Sequence, residues 1–99
     1  MIKSLTTKIK LIYLSMRLPS IHSNGTGRDT LIKQYDELST AFNNFAKKWE
    51  EIEFHARDYY VQGQEAWVEA CAERRDKAEY LMSVGRYINE IREHLYSKK

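Results

Sequence analysis

A run of apolar residues between positions 31 and 52 limits the folds open to this chain more than any other feature. The residues follow one another at alternating intervals of four and three positions. They are Leu31, Tyr35, Leu38, Phe42, Phe45, Trp49 and Ile52. This spacing is typical of a helix that packs against another helix along one seam. It predicts a long helix from about residue 27 to residue 54, with all of these side chains in the core.

A second helical pattern begins near Gln64 and continues to about Tyr96. Its predicted seam consists of Trp67, Cys71, Arg74, Ala78, Leu81, Val84, Ile88, Ile91 and Leu95. A short connection, about residues 55–63, favours two antiparallel helices. Tyr80 and Tyr87 lie beside this seam and widen the apolar stripe beyond what one helix covers. Either an N-terminal helix or a second subunit is expected to pack there.

An N-terminal amphipathic segment precedes the hairpin. Leu5, Ile9, Ile12 and Met16 are spaced by four, three and four positions, which places them on one face of a helix over residues 3–17. Pro19 ends it, because the residue before a proline is pushed out of the helical region. The sequence thus predicts an all-α protein. Residues 1–18 form a short basic amphipathic helix, residues 19–99 form a long antiparallel helical hairpin domain, and the whole is expected to be oligomeric.

Composition narrows the class of protein. Ninety-nine residues suit one domain, and 42% hydrophobic residues are too many for a disordered chain. No stretch approaches the roughly 20 apolar residues of a membrane span, so stable membrane insertion is not expected. The single cysteine, Cys71, cannot form an internal disulfide, which favours the cytoplasm.

Charge is distributed unevenly along the chain. Residues 1–28 contain five basic residues and no acid, whereas the remainder contains 11 basic and 14 acidic residues. A basic end favours an anionic partner such as a nucleotide, a nucleic acid, an acidic protein or a membrane surface. Equally, the basic helix could dock on the acidic remainder of the chain.

The residue pattern does not favour catalysis. His22 and His55 fall in the two predicted loops and His94 lies near the end of the last helix. No histidine has a glutamate three positions before it, the spacing of helical metal sites. We therefore expect a protein that is not an enzyme and that needs neither a metal nor a cofactor.

The first loop, residues 19–28, ends at a helix N-terminus, where free backbone N–H groups and the helix dipole attract anions. Its glycines allow a ligand to approach the backbone, Arg28 adds charge, and Thr26 or Thr30 adds a hydroxyl. Thr26 and Asp29 also have the spacing of a capping box, so a plain capped turn is the alternative. The candidate ligand-binding residues of this loop are His22, Asn24, Gly25, Thr26, Arg28 and Thr30.

The second loop adds Arg57, Tyr59 and Tyr60 as candidate ligand-binding residues. Aromatic side chains beside an arginine stack on bases, and they also anchor protein interfaces. Alternatively, one tyrosine covers the end of the bundle and Arg57 pairs locally with Asp58. Because the two loops lie at opposite ends of a hairpin roughly 40 Å long, only a site between subunits would use both.

Two motifs resemble those of a group of small helical proteins. Residues 20–26 contain the pattern His-x-Asn-Gly-Thr, and residues 57–63 contain Arg-Asp-Tyr-Tyr-x-Gln-Gly. This pair resembles uncharacterised proteins encoded by bacteriophages and prophages, over about residues 16–96. That resemblance implies that residues 1–15 are an extension, with Met16 as an alternative start.

In size and class the chain is also similar to the phage anti-CBASS sponges, which bind cyclic nucleotides. That similarity implies stacking, charge and hydroxyl roles for Tyr13, Arg28 and Thr30. The expected function is therefore an accessory protein that sequesters a nucleotide-like anion between subunits. The alternative is an interaction module that inhibits a host protein through its inter-helix loop.

Overall fold

The computed structural model describes residues 16–97, and within that range the chain forms two long helices. Helix α1 spans Arg28–Glu51 and helix α2 spans Gln64–Ser97. No strand occurs among the described residues. The prediction of an all-α helical hairpin is confirmed, and α1 ends three residues earlier than predicted.

The connection between the helices is more ordered than a plain loop. It contains two 3₁₀ turns, Ala56–Asp58 and Tyr60–Gln62. Gly63 then adopts a φ of 111°, a conformation that other residues rarely adopt, and α2 starts at the next residue. The helix predicted over residues 3–17 lies outside the described residues except for Met16 and Arg17, which are not helical.

The helices pack along a seam that is rotated from the predicted one. On α1 the buried and half-buried positions are Arg28, Leu31, Ile32, Tyr35, Asp36, Ser39, Phe42, Ala46 and Trp49. Four of them, Leu31, Tyr35, Phe42 and Trp49, belong to the predicted seam. Leu38, Phe45 and Ile52 were predicted in the core, but 46%, 51% and 60% of their surfaces are exposed. The prediction is therefore wrong at these three of the seven seam positions.

Helix α2 shows the same rotation at one position. Val84 was predicted to face α1, yet it is exposed, and Gly85 occupies the seam instead. A Cβ atom on Gly85 would lie only 2.9 Å from Cε1 of Phe42. The missing side chain therefore lets the phenyl ring approach the α2 backbone. The predictions for Ile88, Ile91 and Leu95 are confirmed, since all three are buried in the C-terminal half of α2.

A polar cluster explains the rotation. Arg92 Nε donates to Asp36 Oδ1 at 2.9 Å, and Arg92 Nη1 donates to the hydroxyl of the buried Ser39 at 3.3 Å. The Tyr96 hydroxyl donates to the other Asp36 oxygen at 2.5 Å. An unpaired polar group inside the interface would cost about 1–3 kcal/mol, so these bonds favour the rotation that turns Ser39 inward.

This cluster predicts a pH dependence. The hydrogen bond from Tyr96 lowers the pKa of the Asp36 carboxyl, and Arg92 lowers it further. The folded protein therefore takes up a proton at Asp36 less readily than the unfolded chain, whose carboxyl has the ordinary value of 3.8. The stabilising contribution is present above that value and is lost as the pH falls through the lower folded pKa.

Asp36→Asn is expected to flatten the fall in melting temperature on the acid side. The same bond raises the pKa of Tyr96, so its contribution is lost as the pH rises above the ordinary value of 10.0. Melting curves between about pH 2 and pH 11 test both the acid-side loss of stability at Asp36 and the alkaline-side loss at Tyr96. Glu37→Gln, one residue along on the exposed surface, is the control, and an equal flattening in both variants would contradict the assignment.

Candidate functional site

The segment before α1 folds back onto the C-terminal end of α2. Nε2 of His94 lies 2.8 Å from the carbonyl oxygen of Pro19. A carbonyl can only accept a hydrogen bond, so Nε2 carries the proton. Within the segment, the backbone N–H of Gly25 donates to the His22 carbonyl at 3.1 Å and closes a turn. The first loop is thus held against the hairpin at one end.

A pocket of about 330 Å³ opens where this segment meets the helices. It is lined by Pro19, Ser20, Ile21, Arg28 and His94. Nε of Arg28 is buried and has no hydrogen-bond partner among the residues that the structure describes. A buried, unpaired donor on a charged group is costly, so this nitrogen calls for an acceptor that the described residues do not supply.

The N-terminus of α1 adds donors at the same place. The capping-box prediction for Thr26 is wrong, because Gly27 occupies the N-cap position and makes no side-chain cap bond. The N–H groups of a first helical turn have no partner inside the helix. They and the helix dipole favour an anion here, although Asp29 in the same turn offsets part of that field.

The structure brings together only part of the predicted first-loop set. Arg28 lines the pocket, whereas His22, Asn24, Gly25, Thr26 and Thr30 are exposed beside it and do not line it. The residues missed by sequence reasoning are His94 and Ser20. The one usable signal was that the hairpin places the first loop and His94 at the same end.

The second loop is built around an aromatic cluster. The ring of Phe54 lies 4.8 Å from that of Trp67, and Tyr59 lies 5.7 Å from each of them, between ring centres. Tyr59 is half-buried by these contacts. It therefore packs the end of the hairpin and anchors the loop, which is what the alternative interpretation of this loop expects.

The other candidates of the second loop point outward. Tyr60 and Val61 are among the most exposed apolar side chains of the hairpin. Arg57 Nη2 lies 3.5 Å from the Glu53 carboxylate, so its local partner is Glu53 rather than Asp58. This exposed ion pair leaves the Arg57 charge accessible.

Arg74 has a structural explanation. Its Nη2 donates to the carbonyl of Trp49, in the last turn of α1, at 2.8 Å. Its guanidinium also lies 4.8 Å from the ring centres of Trp49 and Phe54. The arginine thus caps the C-terminus of α1 and stacks on two rings, which accounts for a charged residue within the seam.

The two candidate sites are far apart within one protomer. The molecule measures 60 × 29 × 19 Å, and the loops lie at its opposite ends. Among residues 16–97, no three histidine, cysteine, aspartate or glutamate side chains converge as a metal site. Nor is any helix in the described part both long and apolar enough to cross a membrane.

Comparison with known proteins returned no relative: no family model, no curated protein and no solved structure matches the chain.

Proposed function

We propose that this chain is a non-enzymatic accessory protein, of the kind that bacteriophages encode, which sequesters a nucleotide-like anion between its subunits. In that role it would act in the host cytoplasm as a sponge against a nucleotide-signalled defence. The observation that carries the proposal is the Arg28 guanidinium, whose buried Nε lacks a partner among the described residues beside an open pocket. A phosphate oxygen would satisfy this donor through a charge-assisted hydrogen bond.

The pocket offers more than charge. The first turn of α1 supplies backbone donors, and Ser20 adds a hydroxyl among the lining residues. Arg28 provides a planar fork suited to phosphate. No phenylalanine, tyrosine or tryptophan is among the described residues that line this pocket, and Tyr13, the stacking candidate from the sequence, lies outside the described residues.

A second protomer would supply an aromatic surface for a base. Tyr60 and Arg57 are exposed at the opposite end of the hairpin, where an aromatic ring and a cation can stack on a base. Tyr80 and Tyr87 are exposed near the middle of α2. A twofold axis near these tyrosines would place the first loop of one protomer beside the second loop of the other. The proposed site is therefore composite and requires the oligomer.

A thermal-shift screen against cyclic dinucleotides and trinucleotides tests this function. A ligand present at 100 times its Kd stabilises the folded state by about 2.7 kcal/mol, which is a readily measured shift. No stabilisation by any nucleotide at millimolar concentration would overturn the proposal.

Arg28→Ala is expected to weaken binding of the nucleotide that gives the largest thermal shift by about 10- to 100-fold, because one hydrogen bond to a charged group is lost. The melting temperature without nucleotide should stay close to that of the wild type, because Arg28 has an unpaired nitrogen rather than an internal partner there. Lys33→Ala, on the exposed side of α1, is the matched control. Equal weakening by both variants would mean that general charge, rather than the pocket, binds the nucleotide.

A second candidate function is a protein-interaction module that inhibits a host protein through the inter-helix loop. It is favoured by the exposure of Tyr60 and Val61 next to the anchored Tyr59. A rigid loop that presents an aromatic side chain is the usual anchor of an interface. Capture of one stoichiometric host protein by the wild type, and its loss in Tyr60→Ala, would favour this function over the first.

A further inference from the structure

One side of the hairpin is apolar and uncovered in the described part of the chain. Each residue of a helix is rotated by about 100° from the one before it, so residues that precede seam positions lie on one side. Leu38 and Phe45 precede the seam residues Ser39 and Ala46 of α1. Val84 precedes Gly85 of α2 in the same way. All three are exposed, and we call this surface the apolar face.

The polar cluster marks the opposite side of the hairpin. Asp36 follows the seam residue Tyr35 and Tyr96 follows Leu95, and these two side chains are bonded to each other. Residues that follow seam positions on the two helices thus share a side. Because the helices are antiparallel, the residues that precede seam positions lie together on the other side of the hairpin. Leu38, Phe45 and Val84 therefore form one continuous surface.

The far end of the apolar face is already covered. Ile91 lies seven residues after Val84 and therefore on the same side of α2. It is only 2% exposed, whereas Val84 is 46% exposed. The difference coincides with the segment before α1, which is bonded to α2 at His94 through the Pro19 carbonyl. His94 is three residues after Ile91, so the segment reaches α2 next to the buried end of the face.

The direction of that segment points along the face. Asp36 is opposite Arg92 in the hairpin, so Arg28 lies level with the C-terminal end of α2. Between Arg28 and Pro19 the segment moves from the C-terminal end of α2 back to the level of His94. Followed toward the N-terminus, it therefore runs along α2 in the direction of Val84. Residues 1–15 continue from this point.

We infer that residues 1–15 dock as an amphipathic helix on the apolar face and convert the hairpin into a three-helix unit. Fifteen helical residues span about 22 Å, and the fourteen positions from His94 back to Tyr80 span about 21 Å of α2. Leu5, Ile9 and Ile12 form one stripe of the segment and would cover Val84 and Phe45. The segment thus has the length and the apolar stripe that the face requires.

Charge supports the same occupant. Residues 1–15 contain three lysines and no acid, whereas residues 16–97 contain 11 basic and 14 acidic residues. A basic segment on an acidic hairpin is favourable. Tyr80 and Tyr87 also precede seam residues of α2 and therefore lie on the same side of the hairpin, at its outer edge. The docked segment covers Val84, nearer the seam, and leaves the two tyrosines for the subunit contact of the proposed function.

Hydrogen exchange on the full-length chain tests the inference. Amides of residues 2–14 are expected to exchange at least 10-fold more slowly than in a free peptide, at every protein concentration. A chain carrying Phe45→Glu and Val84→Glu is expected to lose this protection. Met82→Glu is the control, because Met82 follows the seam residue Leu81, is exposed and lies on the opposite side.

A second pair of variants acts from the segment itself. Ile9→Glu is expected to lower the melting temperature by about 4–8 °C or more, the shift caused by a modest loss of stability in a domain of this size. Thr7→Glu, on the opposite face of the segment, should leave it unchanged. Free-peptide exchange rates in the wild type would overturn the inference. So would protection that rises with protein concentration, which indicates a second copy, or that requires anionic lipid vesicles, which indicates a membrane surface.

Discussion

Leu95→Ala is expected to lower the free energy of unfolding by about 2–5 kcal/mol, the cost of a truncated leucine in a packed core. Leu95 is fully buried and lies with Ile88 and Ile91 at the only end of the described hairpin where large side chains are enclosed. A domain of this size has about 5–15 kcal/mol of total stability, so the variant should lose a large share of it.

Chemical denaturation of the variant and the wild type provides the measurement for Leu95. Met82→Ala is the matched control, since Met82 is exposed on the same helix and its truncation should change stability by less than about 0.5 kcal/mol. If the two variants were equally stable, the core would not lie at the C-terminal half of α2.

Replacing both Tyr80 and Tyr87 with glutamate is expected to convert the particle to a monomer and to abolish nucleotide binding in the same step. Both rings are exposed in the protomer, and burying a large side chain contributes about 1.5–3 kcal/mol. Two carboxylates per protomer at a twofold contact would add repulsion to the lost burial. Because the proposed site takes Arg28 from one protomer and Tyr60 from another, binding should fail with assembly.

The control for this variant replaces both tyrosines with phenylalanine, which keeps the rings and removes only the hydroxyls. It should remain assembled and continue to bind. A glutamate variant that is monomeric yet binds nucleotide with unchanged affinity would show that one protomer holds a complete site. Sedimentation velocity and a thermal-shift titration on the same samples give both readouts.

The limits of the helices could be predicted from local sequence, whereas their rotation could not. Periodicity and turn residues identified α1 and α2 to within three residues at the ends. The heptad pattern on α1 predicts that Phe42 and Phe45 are both buried. A single partner helix covers only the row of side chains that contains Phe42, and Phe45 is left exposed. Ser39 is buried because Arg92, 53 residues away, donates to it, and no local pattern reveals such a contact.

In the candidate site, too, some features could be predicted from the local sequence and others depend on long-range contacts. The anion-attracting helix start at Arg28 follows from local rules, and the structure adds an unpaired nitrogen to it. His94 reaches the site through a bond to Pro19, 75 residues away, which periodicity cannot predict. Of the adjacent Tyr59 and Tyr60, the 3₁₀ turns decide which ring packs on Phe54 and which is exposed.

Sedimentation of the full-length wild type at micromolar concentration, with and without the nucleotide selected by the thermal-shift screen, tests the central claim most directly. With a composite site between two protomers, we expect a particle of at least twice the 11.8 kDa chain mass, and we expect the nucleotide to sediment together with it. A wild-type protein that sediments as a monomer under both conditions would contradict the composite site between subunits.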